Sequence, residues 1–388
     1  MTDQSTQATA GLTNQASLLE ARTIVVYRSL FLGDLICALP ALQALRARFP
    51  EAQVTLIGLP WTEDFVRRAP AIDRLLHFPG YPGIREVSHD QARTEAFLQE
   101  ARAARYDLAI QMHGDGTVSN GFVAELGARF TLGYRRGDDA RLTHSLPYQD
   151  GEHEAGRWLR LVGELGADAT PTPPQLTVTP YDHSRARPML GGLSPRSGPL
   201  VGLHVGAKDP ARRWPSEKFA ALADALHRRC GARVVLTGGE AERAITQSVV
   251  RAVRFPVLDL AGATDLGTFA ALLHRLDLLV TNDTGASHLA SITRTPSVVL
   301  FGPSRPAQWA PLDSERHRAI DALALAGEGA DPSAALRALP TATVLATCED
   351  VFLSRGNRRP ATDDRRPATD ETGLAREIGG RSSVVGGR

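Results

Sequence analysis

Strands and amphipathic helices alternate along both halves of this 388-residue chain, and that alternation predicts an α/β fold with mainly parallel sheets, built twice. Three observations carry the prediction. β-branched runs such as TIVVYR (23–28) are followed by a loop and then by apolar residues at helical spacing. Between 168 and 198 the texture breaks into ATPTPPQLTVTP and ARPMLGGLSPRSGP, where prolines and glycines interrupt every period. The length also exceeds one ordinary core, so two domains are expected.

In the first half, TIVVYR is a strand, LICALPALQALRARF (35–49) a helix and QVTLIG (53–58) a second strand. This order implies parallel strands joined by a right-handed crossover. DLAIQMH (107–113) reads as another buried strand, followed by a helix over 118–126, and EHEAGRWLRLVGELGA (152–167) as a helix ending at a glycine cap. The second half restarts with the strand LVGLHVG (200–206) and a helix over 216–229. ARVVLTGG (232–239) is the next strand, with a helix over 241–253. A helix at 266–275, the strand DLLVTN (277–282) and the buried strand SVVLFG (297–302) complete the pattern.

The expected organisation is a disordered leader over 1–20, an N-terminal Rossmann-like domain over 21–180, a linker over 181–198 and a C-terminal Rossmann-like domain over 199–340. A helix within 341–354 is expected to pack back on the N-terminal domain. The stretch 355–388 repeats RRPATD and is too polar to bury a core, so it reads as a disordered tail.

Composition narrows the class. Hydrophobic content of 43% and charged content of 22% fit a soluble globular protein, and a formal charge of +1 gives no footprint for nucleic acid. Cys37, Cys230 and Cys348 are odd in number and far apart, which suits a reducing compartment and offers neither a disulfide framework nor a metal cluster. No apolar run reaches membrane-spanning length, and the polar N-terminus lacks a signal-peptide core, so a cytoplasmic location is expected. Lys208 and Lys218 are the only lysines among 44 basic residues, and both fall in one short segment.

Four stretches carry candidate chemistry. In TNDTGASHLA (281–290) a strand ends, a Thr-Gly turn follows and a helix begins; the first turn of a helix has unpaired N–H groups and partial positive charge, suited to phosphate. Residue types alone leave an anion cradle and a plain capped helix even. GAKDPARRWPSEKF (206–219) gathers Lys208, Arg212 and Arg213 at the carboxyl end of a parallel strand, where open α/β sheets place ligands. Two such loops on one sheet make a shared phosphate-bearing ligand the economical account. In TGGEAER (237–243) either Glu240 or Glu242 is placed to take ribose hydroxyls, and a plain turn serves nearly as well. In RSLFLGDLICALPA (28–41), Asp34 opens a helix, as a cap or as a general base facing the cleft; sequence physics by itself favours the cap. Neither a P-loop nor a G-x-G-x-x-G after the first strand occurs.

Taken in order, RSLFLGD, ARRWPSEKFAALADAL and LLVTNDTGASHLASITRTPSVVLFGPSRPAQWAP (278–311) resemble glycosyltransferase family 9, the heptosyltransferases of lipopolysaccharide core assembly and their relatives. The likeness runs from about Thr23 to Pro311. It implies a GT-B fold, two Rossmann-like parallel-sheet domains facing across a cleft, with the donor in the C-terminal half and the acceptor in the N-terminal half. It implies an inverting transferase with no cofactor and no metal, whose donor is a nucleotide-sugar, ADP-heptose being the best known. The acceptor would be a glycan or glycolipid, and a glycolipid acceptor would bring peripheral contact with the inner membrane surface. By the resemblance, Asp34 matches the family's candidate base; Thr284, Gly285, Ala286 and His288 match the diphosphate turn; Asp283 matches the acid near the donor sugar; Glu242 matches a ribose contact. Many relatives carry Lys where this chain has Arg212, and Lys208 is the nearby ammonium that would substitute for it. Arg135, Arg136 and Arg141 are candidates for an anionic acceptor. Two other readings fit the same architecture, a nucleotide-sugar isomerase or epimerase and a non-catalytic nucleotide-sugar-binding protein.

Overall fold

The computed structural model describes residues 20–193 and 198–356; the disordered leader expected over 1–20 lies outside them but for Glu20, and the tail expected over 355–388 but for 355–356, which end a helix. The first sheet contains β1 (Thr23–Tyr27), β2 (Gln53–Gly58), β3 (Arg74–His77), β4 (Leu108–Gln111), β5 (Phe130–Arg135) and β6 (His144–Pro147). The second contains β7 (Leu200–His204), β8 (Arg233–Thr237), β9 (Leu258–Asp259), β10 (Leu278–Asn282), β11 (Ser297–Phe301) and β12 (His317–Asp321). The strand orders are β3-β2-β1-β4-β5-β6 and β12-β11-β10-β7-β8-β9, which is one connectivity used twice. All pairings are parallel. Each sheet therefore reverses its winding between its first and fourth strands, β1/β4 and β7/β10, and opens a crevice at their carboxyl ends.

Around the first sheet run α1 (Leu32–Arg48), α2 (Glu63–Arg68), α3 (Gln91–Ala103), α4 (Ser119–Glu125) and α5 (Glu154–Gly163); α6 (Pro180–Met189) lies in the connection. Around the second run α7 (Ser216–Cys230), α8 (Arg243–Ala252), α9 (Leu266–Leu273), α10 (Gly285–Ile292), α11 (Pro306–Trp309), α12 (Ala322–Ala326), α13 (Pro332–Ala338) and α14 (Thr341–Gly356). Helices on both faces explain why the central strands are apolar without alternation: Ile24, Val25, Val26 and Tyr27 are all fully buried.

Three apolar clusters result. One lies under α3 and α4 and includes Val25, Tyr27, Phe78 and Phe122. Another lies on the far face of the second sheet, with Leu203, Phe219 and Leu336. The third joins the halves, running from Leu39, Leu42 and Trp158 on α1 and α5 to Leu272, Ala286 and Leu289 on α9 and α10. The two sheets therefore share one core along one side.

The connection is more ordered than a Pro/Gly-rich linker. Pro180–Met189 is a helix, started by a capping box in which Thr179 Oγ1 accepts from the Asp182 N–H at 3.2 Å and Asp182 Oδ2 accepts from the Thr179 N–H at 2.7 Å. Asp182 also receives both ends of the Arg68 guanidinium from α2, at 2.7 and 3.0 Å. A Cβ on Gly267 of α9 would collide with that pair, so Arg68, Asp182 and Gly267 pin the N-terminal domain, the connection and the C-terminal domain together.

The C-terminal helix corrects the sequence reading. Rather than returning to the N-terminal domain, α14 packs on α7 and β11. Val344, Leu345, Cys348 and Val351 recur at helical spacing and are buried in the C-terminal domain's outer cluster. Full burial of each large apolar side chain is worth about 1.5–3 kcal/mol, which sets this packing above any looser alternative. Lys218 completes it by donating to the Arg337 and Leu339 carbonyls at 2.6 and 3.0 Å, so one of the two lysines ends a helix and does not face the cleft.

Replacing Asp182 with Ala removes the carboxylate half of the capping box and leaves Arg68 with Asp64, at 3.1 Å, and the Thr177 carbonyl, at 3.2 Å. The expected loss is about 2–4 kcal/mol of unfolding free energy, toward the lower end for breaking a buried ion pair. Chemical denaturation reads it, and a loss under about 1 kcal/mol would remove the pin from this account.

Candidate active site

The N-terminal half of the site is built on Arg28, the residue after β1. It is fully buried, and a buried guanidinium is tolerated only when its donors are matched. Nη1 donates to the Met112 carbonyl at 2.5 Å, Nε to the Asp34 carbonyl at 2.9 Å and Nη2 to Glu154 Oε1 at 3.1 Å. The guanidinium lies 4.7 Å from the Trp158 ring centre, and Trp158 Nε1 donates to the same Glu154 oxygen at 2.9 Å. Arg28 thereby fixes the first turn of α1 against β4 and α5.

Asp34 sits in that first turn. Its Oδ2 accepts from the Phe31 N–H at 3.2 Å, and Oδ1 stands 4.0 Å from Arg28 Nη2 with 21% of the side chain exposed. The capping contact thus leaves part of the carboxylate exposed. Burial pushes the Asp34 carboxyl above its ordinary value of 3.8; Arg28 pulls against that shift and Glu154 adds to it. Beside it, His113 follows β4, stacks on Tyr27 at 4.9 Å and is held neutral, with a pKa of about 4, by burial and by Arg28.

Of the three arginines proposed for the acceptor, Arg135 ends β5 and Arg136 and Arg141 follow it. Arg136 donates to Asp115 at 2.6 Å and to both oxygens of Asp150 at 2.6 and 3.0 Å. Arg141 is chelated by Asp139 at 2.7 and 2.8 Å. Arg135 bonds the Gly137 carbonyl and has no carboxylate partner among the described residues.

The C-terminal half is organised by Asn282 at the end of β10, which sequence reading took only as a strand end. Its Nδ2 donates to the Val205 and Gly206 carbonyls, both at 3.1 Å, and its Oδ1 accepts from the Trp214 N–H at 3.0 Å. The basic loop is thus tied to the switch point of the second sheet. Arg212 Nη1 reaches Asp283 Oδ2 at 3.3 Å, while its Nε is buried without a hydrogen-bond partner. Arg213 is turned inward and donates to the Ala207 carbonyl at 2.7 Å. Lys208 crosses to the other domain, its Nζ lying 3.4 Å from the centre of the Phe31 ring.

Thr284 caps α10, its Oγ1 accepting from the Ala286 N–H at 3.3 Å; Ser287 Oγ donates back to the Thr284 carbonyl at 2.7 Å. Of the two glutamates after β8, Glu240 pairs with Arg243 at 2.6 Å on the surface. Glu242 points into the crevice, accepting from the Gly239 N–H at 2.7 Å and standing 3.9 Å from His204. A Cβ on Gly206 would strike the Glu242 carboxylate, so the glycine makes the room.

The two halves meet where α1 and α10 begin. A Cβ on Gly33 would lie 2.8 Å from His288 Cδ2, and one on Gly285 would lie 3.1 Å from Leu32 Cβ. His288 is 6% exposed, with Nδ1 at 3.5 Å from Cys37 Sγ. Burial holds its imidazole below the ordinary value of 6.5, against the pull of Asp283 and Asp34. This crossing brings together Asp34, Asp283, Thr284 and Gly285, while Glu242, Lys208 and Arg212 lie around the same switch point. Among the described residues no group of three or more His, Cys, Asp or Glu side chains is placed to hold a metal ion, and no helix is long and apolar enough to cross a membrane.

Two parallel six-stranded sheets of one Rossmann-like order, joined where α1 and α10 cross, give the GT-B fold. The chain belongs to glycosyltransferase family 9: the family described as "Glycosyltransferase family 9 (heptosyltransferase)" matches residues 94–323. It is 27% identical over 317 residues to lipopolysaccharide heptosyltransferase 2 of Escherichia coli, covering 76% of this chain and 87% of that one. Among solved structures it is similar to a family 9 glycosyl transferase from Veillonella parvula, with a TM-score of 0.72, 22% identity and coverage of 87% and 98%. It is also similar to the E. coli ADP-heptose lps heptosyltransferase II, with a TM-score of 0.68, 24% identity and coverage of 86% and 99%.

Gly33 tests the crossing. Alanine normally stabilises a helix over glycine by about 0.5–1 kcal/mol. Here the new methyl meets a buried imidazole, and overpacking of that kind costs about 1–3 kcal/mol. Gly33→Ala is therefore expected to lower stability in urea unfolding, and a stabilised variant would contradict the packing described.

Proposed function

We propose that this chain is an inverting, metal-independent heptosyltransferase that moves a heptose from ADP-heptose to a hydroxyl of a lipopolysaccharide-core or related glycan acceptor. One observation carries the reading: a carboxylate of raised pKa and the N-terminus of a helix are held together by the α1–α10 crossing, each at the switch point of its own sheet. The heptosyltransferase relatives supply the donor sugar and acceptor class in this reading. A glycolipid acceptor would place the enzyme at the cytoplasmic face of the inner membrane.

Asp34 takes the proton of the acceptor hydroxyl. The oxygen attacks the anomeric carbon from the face opposite the nucleotide, the bond from that carbon to the phosphate oxygen breaks, and ADP leaves with the electron pair. The diphosphate lies at the first turn of α10, against Thr284, Gly285 and Ala286, where backbone N–H groups and the helix dipole meet its developing charge, the Ala286 N–H turning to it from Thr284 Oγ1. Arg212, with its unpartnered Nε, and Lys208 supply positive charge there without a metal ion. Arg213 holds the loop from behind. Asp283 faces the donor sugar, and His288 sets the turn against α1. Glu242 takes the ribose hydroxyls, its carboxylate seated in the space that Gly206 leaves. On the acceptor side Arg135 is the first candidate for an anionic group, because Arg136 and Arg141 would have to give up their carboxylates.

Transfer assays with ADP-heptose in the presence of a chelator, paired with calorimetry, test the assignment. Asp34→Asn should keep donor affinity within about threefold and lose about 10²–10⁴ in turnover, the usual worth of a general base. Turnover close to wild type in that variant would remove Asp34 as the base. The pH profile gives an independent check. A base works only when deprotonated, so kcat/KM falls as pH drops through the Asp34 pKa, and that limb should lie above 3.8. Glu154→Gln removes a negative neighbour while keeping an acceptor for Trp158, so the limb should move to lower pH. A limb unmoved by Glu154→Gln would mean that Asp34 does not set it.

A further inference from the structure

The seam between the domains holds a second, separate cavity of about 330 Å³. Asp34, Lys208, Arg212, Glu242, Asp283 and Thr284 do not line it; His288 alone is shared with the site above, as a common wall. Both halves of the chain enclose it. Ile36, Cys37 and Pro40 of α1 form one wall, Pro173 and Pro174 of the connection another, and Pro311 with Leu312 the side facing them. Leu312 is 52% exposed, so a large apolar side chain stands open at the mouth. This chamber is apolar, and its prolines hold its shape.

The polar groups gather at one end. Arg294 follows α10 with φ of 54°, in the left-handed region where glycine is the usual occupant. A non-glycine residue there carries strain, and its guanidinium has no hydrogen-bond or ion-pair partner among the described residues. Arg316, alongside, bonds Asp313 at 3.2 Å and the Arg294 carbonyl at 3.3 Å. Two guanidinium groups against one carboxylate leave one positive charge unmatched. His317, with a pKa of about 4 through burial, adds none at neutral pH.

We infer that this cavity is a binding site for an amphipathic monoanion, an aliphatic carboxylate whose chain fills the apolar chamber and whose head group pairs with Arg294. The size fits a small ligand, since 330 Å³ falls in the about 300–1,000 Å³ range of small-molecule pockets. A preformed, mainly apolar pocket with few convergent polar groups is the usual form of a small-molecule site. The occupant would touch α1 and α10 together, the two helices that carry Asp34 and the Thr284 turn.

The test is calorimetric titration of the full chain with decanoate below its micellar range, with decylamine as the cationic control and ADP-saturated protein as a second arm. The inference expects one equivalent of decanoate at submillimolar affinity, undiminished by ADP, and no binding of decylamine. Arg294→Gly relieves the left-handed strain, so it should keep or raise the melting temperature while weakening decanoate at least tenfold. Loss of binding in ADP-saturated protein would assign decanoate to the donor cleft and overturn the separate site. Absence of decanoate binding, equal binding of decylamine, or unchanged affinity in Arg294→Gly would each overturn it as well.

Discussion

The contact on which the site depends is the crossing of two helix beginnings, where α1 from the first sheet and α10 from the second touch through Gly33, His288, Gly285 and Leu32. Each helix starts at the switch point of its own sheet, the place where a doubly wound sheet exposes backbone groups to a ligand. A side chain on either glycine would push the two starts apart. Small residues at these positions thus turn two separate crevices into one cleft. The shared apolar core under α1, α5, α9 and α10 keeps the crossing in register from behind, and the Arg68–Asp182 pair fixes the connection on the same side.

Around the crossing, charge is arranged by burial as much as by pairing. Arg28 lies at full burial because four groups receive it: the Met112 carbonyl, the Asp34 carbonyl, Glu154 and the Trp158 face. Desolvating an ion costs several kcal/mol, so such a network is a poor way to gain stability. What it gives is placement, since it holds the Asp34 turn against β4 and α5. The opposite half uses a neutral amide for the same purpose, with Asn282 joining three backbone groups of the basic loop. In this half Lys208 then lies over the Phe31 ring and Arg212 reaches Asp283, the residue before Thr284.

Much of this was legible in the sequence, and for physical reasons. Fully buried parallel strands are apolar without interruption, so TIVVYR, QVTLIG, DLLVTN and SVVLFG declared themselves. Most of the elements that were missed bury little, the exception being Phe130–Arg135, a buried strand whose FTLGYR run is broken by a glycine. Gln91–Ala103 buries only Thr94, Leu98 and Ala101, too thin a stripe to stand out, although Asp90 caps it. The edge strands Arg74–His77 and His144–Pro147 are short and half-exposed, and His317–Asp321 buries only His317 and Ile320. In the connection, prolines hid a helix whose start signal, Thr179-Pro180 with Asp182, was present. The site shows the same division. Local pattern placed Asp34 and the Thr284 turn at helix starts after strands, which is where the structure has them, while their proposed roles came from the family resemblance. The choice between Glu240 and Glu242, the inward turn of Arg213, the pairing of Arg136 and Arg141 and the roles of Arg28 and Asn282 depend on partners far away in the chain.

The account's central claim is that the α10 turn holds a nucleotide diphosphate beside Asp34. A crystal structure of the full chain with ADP tests it most directly. The account predicts diphosphate oxygens at hydrogen-bond distance, about 2.7–3.2 Å, from the Gly285 and Ala286 N–H groups, with Lys208 or Arg212 alongside and the ribose on Glu242. A diphosphate bound away from that turn, with the Gly285 and Ala286 N–H groups left to solvent, would contradict it.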